Sequence, residues 1–290
     1  RAKARAIACA PARWETVDPC GTGGDARGTF NISTVSALVA AGAGVTVAKH
    51  GNRAVSSHSG SADVLKQLGV NIEATPETVE RCLAEARIGF LFAPLLHGAM
   101  KFAIGPRREI GVRTVFNLLG PLTNPAGARC SVAACPLNKE YDKSLPPLLA
   151  GVLRNLGSLR CLVAHGDDGL DEITTTGRTL VAELRDGAVR TYEISPGDFG
   201  LPTARLTDLV VHSVEESAAA ARSVLGGERG PKRDIVLLNA GAAIAVSGAA
   251  KDLSEGIGRA AEAIDSGAAR AALERLTAVS NGAGTTAAGG

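Results

Sequence analysis

Before residue 70 the chain twice runs from a short apolar segment through a glycine-containing polar loop into a helix. That βα rhythm confines it to an α/β fold built on parallel strands. A strand is expected over residues 14–18, followed by the turn Gly21-Thr22-Gly23-Gly24-Asp25 and a helical run over 33–41. The next strand is expected at 44–48 and the next helix at 59–68, with Ala62, Leu65 and Leu68 on one face and Gly69 as its stop. A further helix is signalled by Thr75 as N-cap, Pro76 at the first helical position and Glu77 in the first turn; Val79, Leu83 and Ala86 then share a face. A buried strand over 90–93 and helical pieces over 95–109 follow. At the start, alanines alternating with basic residues predict a short helix over 1–10, ended by Pro11.

The second half breaks the rhythm. A helix over 145–156 and a strand over 160–164 lead into the acidic loop that holds Asp171 and Glu172. Asp186-Gly187 then separates two alternating stretches, 180–184 and 189–194, which predicts an antiparallel hairpin and hence a mixed sheet. The apolar run 235–239 reads as one more buried strand, with a helix opening at 240–246 and a fraying tail after Ser280.

With 31 basic and 29 acidic residues the net charge is +2, so no global field draws the chain to nucleic acid or membrane, and any affinity for anions must be local. The six cysteines form no C-x-x-C pair and are expected as buried, reduced thiols. The longest low-charge run, 35–48, is shorter than a membrane span requires. A soluble, cytoplasmic protein is expected.

Glycines between a strand and a helix let backbone N–H groups converge on an anion. Taken alone, the Gly21 loop is equally a tight turn, and it has neither the dinucleotide fingerprint nor the Gly-Lys-Ser/Thr ending of a P-loop. Asn31, Ser33 and Thr34 open the following helix, where hydroxyls and free N–H groups can meet phosphate oxygens or a magnesium ion; simple N-capping is the alternative. The segment Lys49-His50-Gly51-Asn52-Arg53-Ala54-Val55-Ser56-Ser57 packs two cations, an amide and two hydroxyls behind a strand. Lys49 suits a ribose phosphate or pyrophosphate, Ser56, Ser57 and Ser61 can donate to phosphate oxygens, and Asn52 can orient an aromatic amine or carboxylate. Asp171 and Glu172 offer hard oxygen ligands for Mg²⁺, although adjacent loop acids are more often just solvated. The Arg107 guanidinium suits a carboxylate, or else pairs with Glu109.

Together, Gly21-Thr22-Gly23-Gly24-Asp25, Thr29-Phe30-Asn31-Ile32-Ser33-Thr34, Lys49-His50-Gly51-Asn52-Arg53 and Ser59-Gly60-Ser61-Ala62-Asp63 resemble the anthranilate phosphoribosyltransferase family. The order continues with the segments that begin at His97 and Arg107, the run Phe116 to Pro125, and His165 to Glu172. The resemblance covers nearly the whole chain.

It implies an α/β fold of the phosphoribosyltransferase–nucleoside phosphorylase type, a small helical domain hinged to a large α/β domain whose mixed sheet is flanked by helices. Residues 1–13 and about 94–113 would be what remains of the small domain, 14–93 and about 114–280 the large one, and 281–290 a flexible tail. Phosphoribosyl pyrophosphate would contact Gly21, Gly24, Asp25, Thr29, Asn31, Ile32, Ser33, Thr34, the segment Lys49 through Ser57, and Ser61. Anthranilate would meet Gly21, Asn52 and Arg107; Ser33, Asp171 and Glu172 would serve Mg²⁺; Lys49, Asp171 and Glu172 would act in catalysis. A homodimer is implied, with neither nucleic acid nor membrane as partner. The family commonly has glycine where this chain has Ala26 and proline where it has Gly98, and it carries several helices ahead of the first glycine loop, where here only residues 1–20 precede Gly21. A chain cut from a longer parent is therefore expected. Two rivals stand beside this reading: a pyrimidine nucleoside phosphorylase of the same fold, and an inactive nucleic-acid-binding relative.

Overall fold

The computed structural model describes residues 4–9, 15–22, 27–53, 59–100, 102–103, 105, 109, 118–134 and 144–283. Among the described residues seven strands form one sheet in the order β3-β2-β1-β4-β5-β6-β7: β1 (Val17–Gly21), β2 (Val47–Gly51), β3 (Ile88–Phe92), β4 (Cys130–Ala134), β5 (Arg160–Gly166), β6 (Thr179–Arg185) and β7 (Ala188–Ile194). β1 to β5 pair in parallel and β6 and β7 add an antiparallel hairpin, so the expected mixed sheet and hairpin are both present. Asp186 and Gly187 both take positive φ at the turn, as a tight two-residue connection requires.

The helices are α1 (Ile32–Gly42), α2 (Ser61–Gln67), α3 (Pro76–Arg81), α4 (Ala93–Leu96), α5 (Leu119–Leu122), α6 (Leu145–Asn155), α7 (Val214–Leu225), α8 (Pro231–Val246), α9 (Leu253–Asp265) and α10 (Ala268–Ser280). Both faces of the sheet are covered. Leu162 and Ala164 of β5 join a large core with α1, α8 and α10, while Cys161 and Val163 point the other way, into a cluster with Leu149 and Leu153 of α6. α1 and α8 are buried on nearly every side, α8 crossing α9 where Gly241 and Gly256 touch backbone to backbone. A Cβ on either glycine would force those helices apart.

Three expectations change. Residues 4–9 are not helical: Arg5 N–H donates to Leu96 O at 2.8 Å and Ile7 N–H to Pro125 O at 3.2 Å. Ile7 is buried against Val79, Leu83 and Leu91, so docking of an extended segment outweighs the helix preference of alanine. The run 235–239 is helix, not strand: Pro231 starts α8 and Asp234 lies in its first turn. A helix enclosed by protein is apolar all round, which a short window cannot tell from a buried strand. Finally, β1 and β2 lie further along than expected, so that Gly21 and the residues Lys49, His50 and Gly51 belong to strand ends rather than loops. β4 and helices α5, α7, α9 and α10 are not among the elements expected from sequence. Among the described residues Cys20, Cys82, Cys130 and Cys161 are free thiols, and Cys9 and Cys20 are only partly buried. Residues 284–290 of the expected tail lie outside the described residues.

Candidate active site

The chain runs from β1 outward to β2 and β3, then returns to β4 on the other side of β1. The carboxyl ends of β1 and β4 thus flank a topological switch point, where open α/β sheets bind ligands. Gly21 ends β1 there, and the loop after β5 folds over it: a Cβ on Gly21 would strike the Asp171 carboxylate. Only glycine leaves that space. Beside it, Ser33 at the start of α1 donates its backbone N–H to Glu172 Oε1 at 3.1 Å. An N-terminal helix amide holding a carboxylate is favoured by the helix dipole.

Lys49 is 2% exposed, and its ammonium donates to Pro19 O at 2.9 Å and to Ser33 Oγ at 3.3 Å. A cation, the first turn of α1 and two carboxylates therefore meet at one place. Asn31 joins from the same turn, its side-chain oxygen accepting from Ser59 Oγ at 2.8 Å and Ser217 Oγ at 2.9 Å. Thr34 Oγ1 is buried without a hydrogen-bond partner, and the Ile32 side chain lies in the core with its N–H bonded to Phe30 O. Thr29 makes an isolated bridge to Val210.

Gly51 ends β2 with Ser61 Oγ and the Phe90 ring against it. Asn52 O accepts from Ser61 Oγ at 3.3 Å and Ala62 N–H at 3.2 Å, which ties the Asn52 turn to α2. Arg53 turns outward to Glu73 at 3.0 Å and lies over the Phe92 ring. Gly24, Asp25, Ala54, Val55, Ser56, Ser57 and Arg107 lie outside the described residues.

Sequence reasoning missed a buried polar row beneath these groups. His50 N–H donates to Asp18 Oδ1 at 3.1 Å, and the ligand atoms of Asp18, Cys20 and His50 lie within 4.8 Å of one another. Alternation along β1 carried the signal, since Asp18 and Cys20 share a face of a strand otherwise apolar. Burial pushes Asp18 up to about 6, eased by Asn124, the His50 amide and the Lys49 charge. Burial also holds His50 down to about 4, as it does His97. Gly120 O can only accept, so His50 Nδ1 carries the proton toward it at 3.2 Å, and His97 Nε2 donates to His50 Nε2 at 3.0 Å. Cys20 is pushed up by burial and by Asp18, which leaves it a thiol. A cleft of about 300 Å³ lined by Arg5, Glu73, Thr75, Phe90 and Phe92 adjoins Gly51 and Arg53, although no expected site residue lines it.

Residues 13–270 match the glycosyl transferase family, a/b domain. The chain belongs to that family. Within it the chain falls among the anthranilate phosphoribosyltransferases: it is 56% identical over 262 residues to the anthranilate phosphoribosyltransferase of Moorella thermoacetica, covering 90% of this chain and 76% of that relative. The crystal structure of the Thermus thermophilus enzyme of that name superposes with a TM-score of 0.88 at 45% identity, covering 96% of this chain and 81% of that one. The Saccharomyces cerevisiae enzyme of that name, in complex with PRPP and Mg, gives a TM-score of 0.86 at 30% identity over 97% of this chain and 77% of its own. This family member thus has the expected fold, and neither rival reading is favoured. Among the described residues no helix is long and apolar enough to cross a membrane.

Proposed function

We propose that this chain transfers the phosphoribosyl group of 5-phosphoribosyl 1-pyrophosphate to the amine of anthranilate, releasing pyrophosphate, as a step of tryptophan biosynthesis. The observation that carries the reading of the site is the meeting of Lys49, Ser33, Asp171 and Glu172 at the carboxyl ends of parallel strands. In the reaction the bond from the ribose anomeric carbon to pyrophosphate oxygen breaks and a carbon–nitrogen bond forms. The amine proton leaves to water, so no strong base and no covalent enzyme intermediate are needed.

The donor set fits magnesium: two adjacent carboxylates and a serine hydroxyl are hard oxygen ligands. Asp171, Glu172 and Ser33 would hold the ion, which when bound neutralises charge on the departing pyrophosphate. Lys49 adds a fixed positive charge, and the positive end of the α1 dipole adds to it. Gly21, Gly24, Asp25, Thr29, Asn31, Ile32, Thr34, the segment His50 to Ser57 and Ser61 complete the donor pocket. Asn52 and Gly21 border anthranilate, and the Arg107 guanidinium clamps its carboxylate. With this reading go a homodimer, a small helical domain of which residues 1–13 and about 94–113 are the remnant, and a cytoplasmic location.

Mass spectrometry of the product tests the reaction. N-(5-phosphoribosyl)anthranilate should form from the two substrates with Mg²⁺, and uridine with inorganic phosphate should yield no ribose phosphate. Phosphorolysis without transfer to anthranilate would sink the proposal.

A further inference from the structure

Asn239 lies on α8, far from the glycine loops in sequence, and is 3% exposed. Its side-chain oxygen accepts the Ile173 N–H at 3.0 Å, and its amide nitrogen donates to Ile173 O at 2.8 Å and to Ile235 O at 2.9 Å. Both N–H donors and the carbonyl are used, and only one orientation of the amide satisfies all three. Ile173 directly follows Asp171 and Glu172, and its side chain is fully buried. From the other side Asp168 accepts from Leu170 N–H at 3.0 Å and from Thr174 Oγ1 at 2.6 Å. The loop is therefore gripped on both flanks of the acidic pair.

We propose that Asn239 is a positioning residue that fixes the backbone of Ile173, and so aims Asp171 at Gly21 and Glu172 at Ser33. The inference rests on reading that pair as the magnesium-holding carboxylates. A carboxamide is required because the same side chain must donate and accept. Asn239→Asp keeps the size but turns two donors into acceptors facing the carbonyls of Ile173 and Ile235. Groups that orient a metal's ligands from behind typically change metal affinity by about 10–100-fold when lost.

The test measures two things on Asn239→Asp, with Asn239→Ser taking its place should the first not fold. One is the Mg²⁺ concentration giving half-maximal turnover; the other is amide hydrogen exchange across residues 170–175 in protein free of metal and substrate. We expect half-saturation to rise about tenfold, exchange at Ile173 to quicken, and the anthranilate KM to stay put. A lower melting temperature with unchanged Mg²⁺ half-saturation and unchanged exchange at Ile173 would overturn the inference. Asp171→Asn with Glu172→Gln runs in parallel: if that variant leaves the Mg²⁺ dependence intact, the magnesium reading itself fails, and the role given to Asn239 falls with it.

Discussion

Ser33 donates its backbone N–H to Glu172 Oε1 at 3.1 Å across a sequence separation of 139 residues. That bond joins the first turn of α1 to the loop after β5, and so ties the helix to the acidic pair. Replacing Asp171 by Asn and Glu172 by Gln keeps shape but removes both anionic charges. Turnover should then need roughly tenfold more Mg²⁺ or fall outright, since losing a charge-assisted contact costs about 1.5–3 kcal/mol. Circular dichroism should show the fold retained. Unchanged activity across a magnesium titration would refute the assignment.

Lys49 reaches Pro19 O and Ser33 Oγ from a buried position, so its stem is packed and its charge is directed at the α1 terminus. Lys49→Met preserves most of the stem. The kcat/KM for phosphoribosyl pyrophosphate should drop by about one to two decades while the anthranilate KM barely moves. Initial-rate kinetics with each substrate varied in turn decides; an effect confined to anthranilate counts against the donor role.

Much of this was legible in the chain. The turn at Asp186-Gly187, the cap at Thr75 and the βα order each rest on local chemistry that acts within a few residues, and Thr75 Oγ1 does accept the Thr78 N–H. What was not legible depends on partners distant in sequence. Residues 4–9 are extended because Ile7 has a hydrophobic cluster to enter, and 235–239 reads as a strand because α8, buried on nearly every side, is apolar all round there. Asp171 and Glu172 were visible as an acidic pair, but nothing nearby in sequence announces Asn239 against Ile173, Ser217 against Asn31 or Asp18 beneath His50.

Ser217 of α7 accepts the Asn31 N–H at 3.1 Å and donates to its side-chain oxygen at 2.9 Å, and it is fully buried. Ser217→Ala leaves a buried donor and an acceptor short of a partner. Stability should fall by about 1–3 kcal/mol, read from urea unfolding, with weaker donor binding because Asn31 leads into α1. A variant as stable as the parent would show that water substitutes for the hydroxyl.

His50 and His97 both titrate near pH 4 in the fold against an ordinary 6.5, chiefly because burial disfavours their charged forms. Their contribution to stability is complete above pH 6.5 and is lost as the pH falls through about 4, since the unfolded chain takes up protons first. Asp18, raised by burial from 3.8 to about 6, has the opposite sign: its contribution is present below 3.8 and lost as the pH rises through about 6. Two histidines outweigh one aspartate, so the urea midpoint should decline between pH 6.5 and 4. His97→Gln, which keeps an N–H donor without titrating, should flatten that decline. A midpoint that rises on acidification contradicts the assignment.

If this chain joins the ribose of phosphoribosyl pyrophosphate to anthranilate with Mg²⁺ at Asp171 and Glu172, loss of anthranilate fluorescence must depend on both the donor and the metal. Following that fluorescence in time, with each component omitted in turn, is the decisive measurement. The signal should fall only when phosphoribosyl pyrophosphate and Mg²⁺ are both present, and should stay constant when either is left out or when EDTA is added. Consumption of anthranilate at an undiminished rate without Mg²⁺, or none with all components supplied, would contradict that assignment.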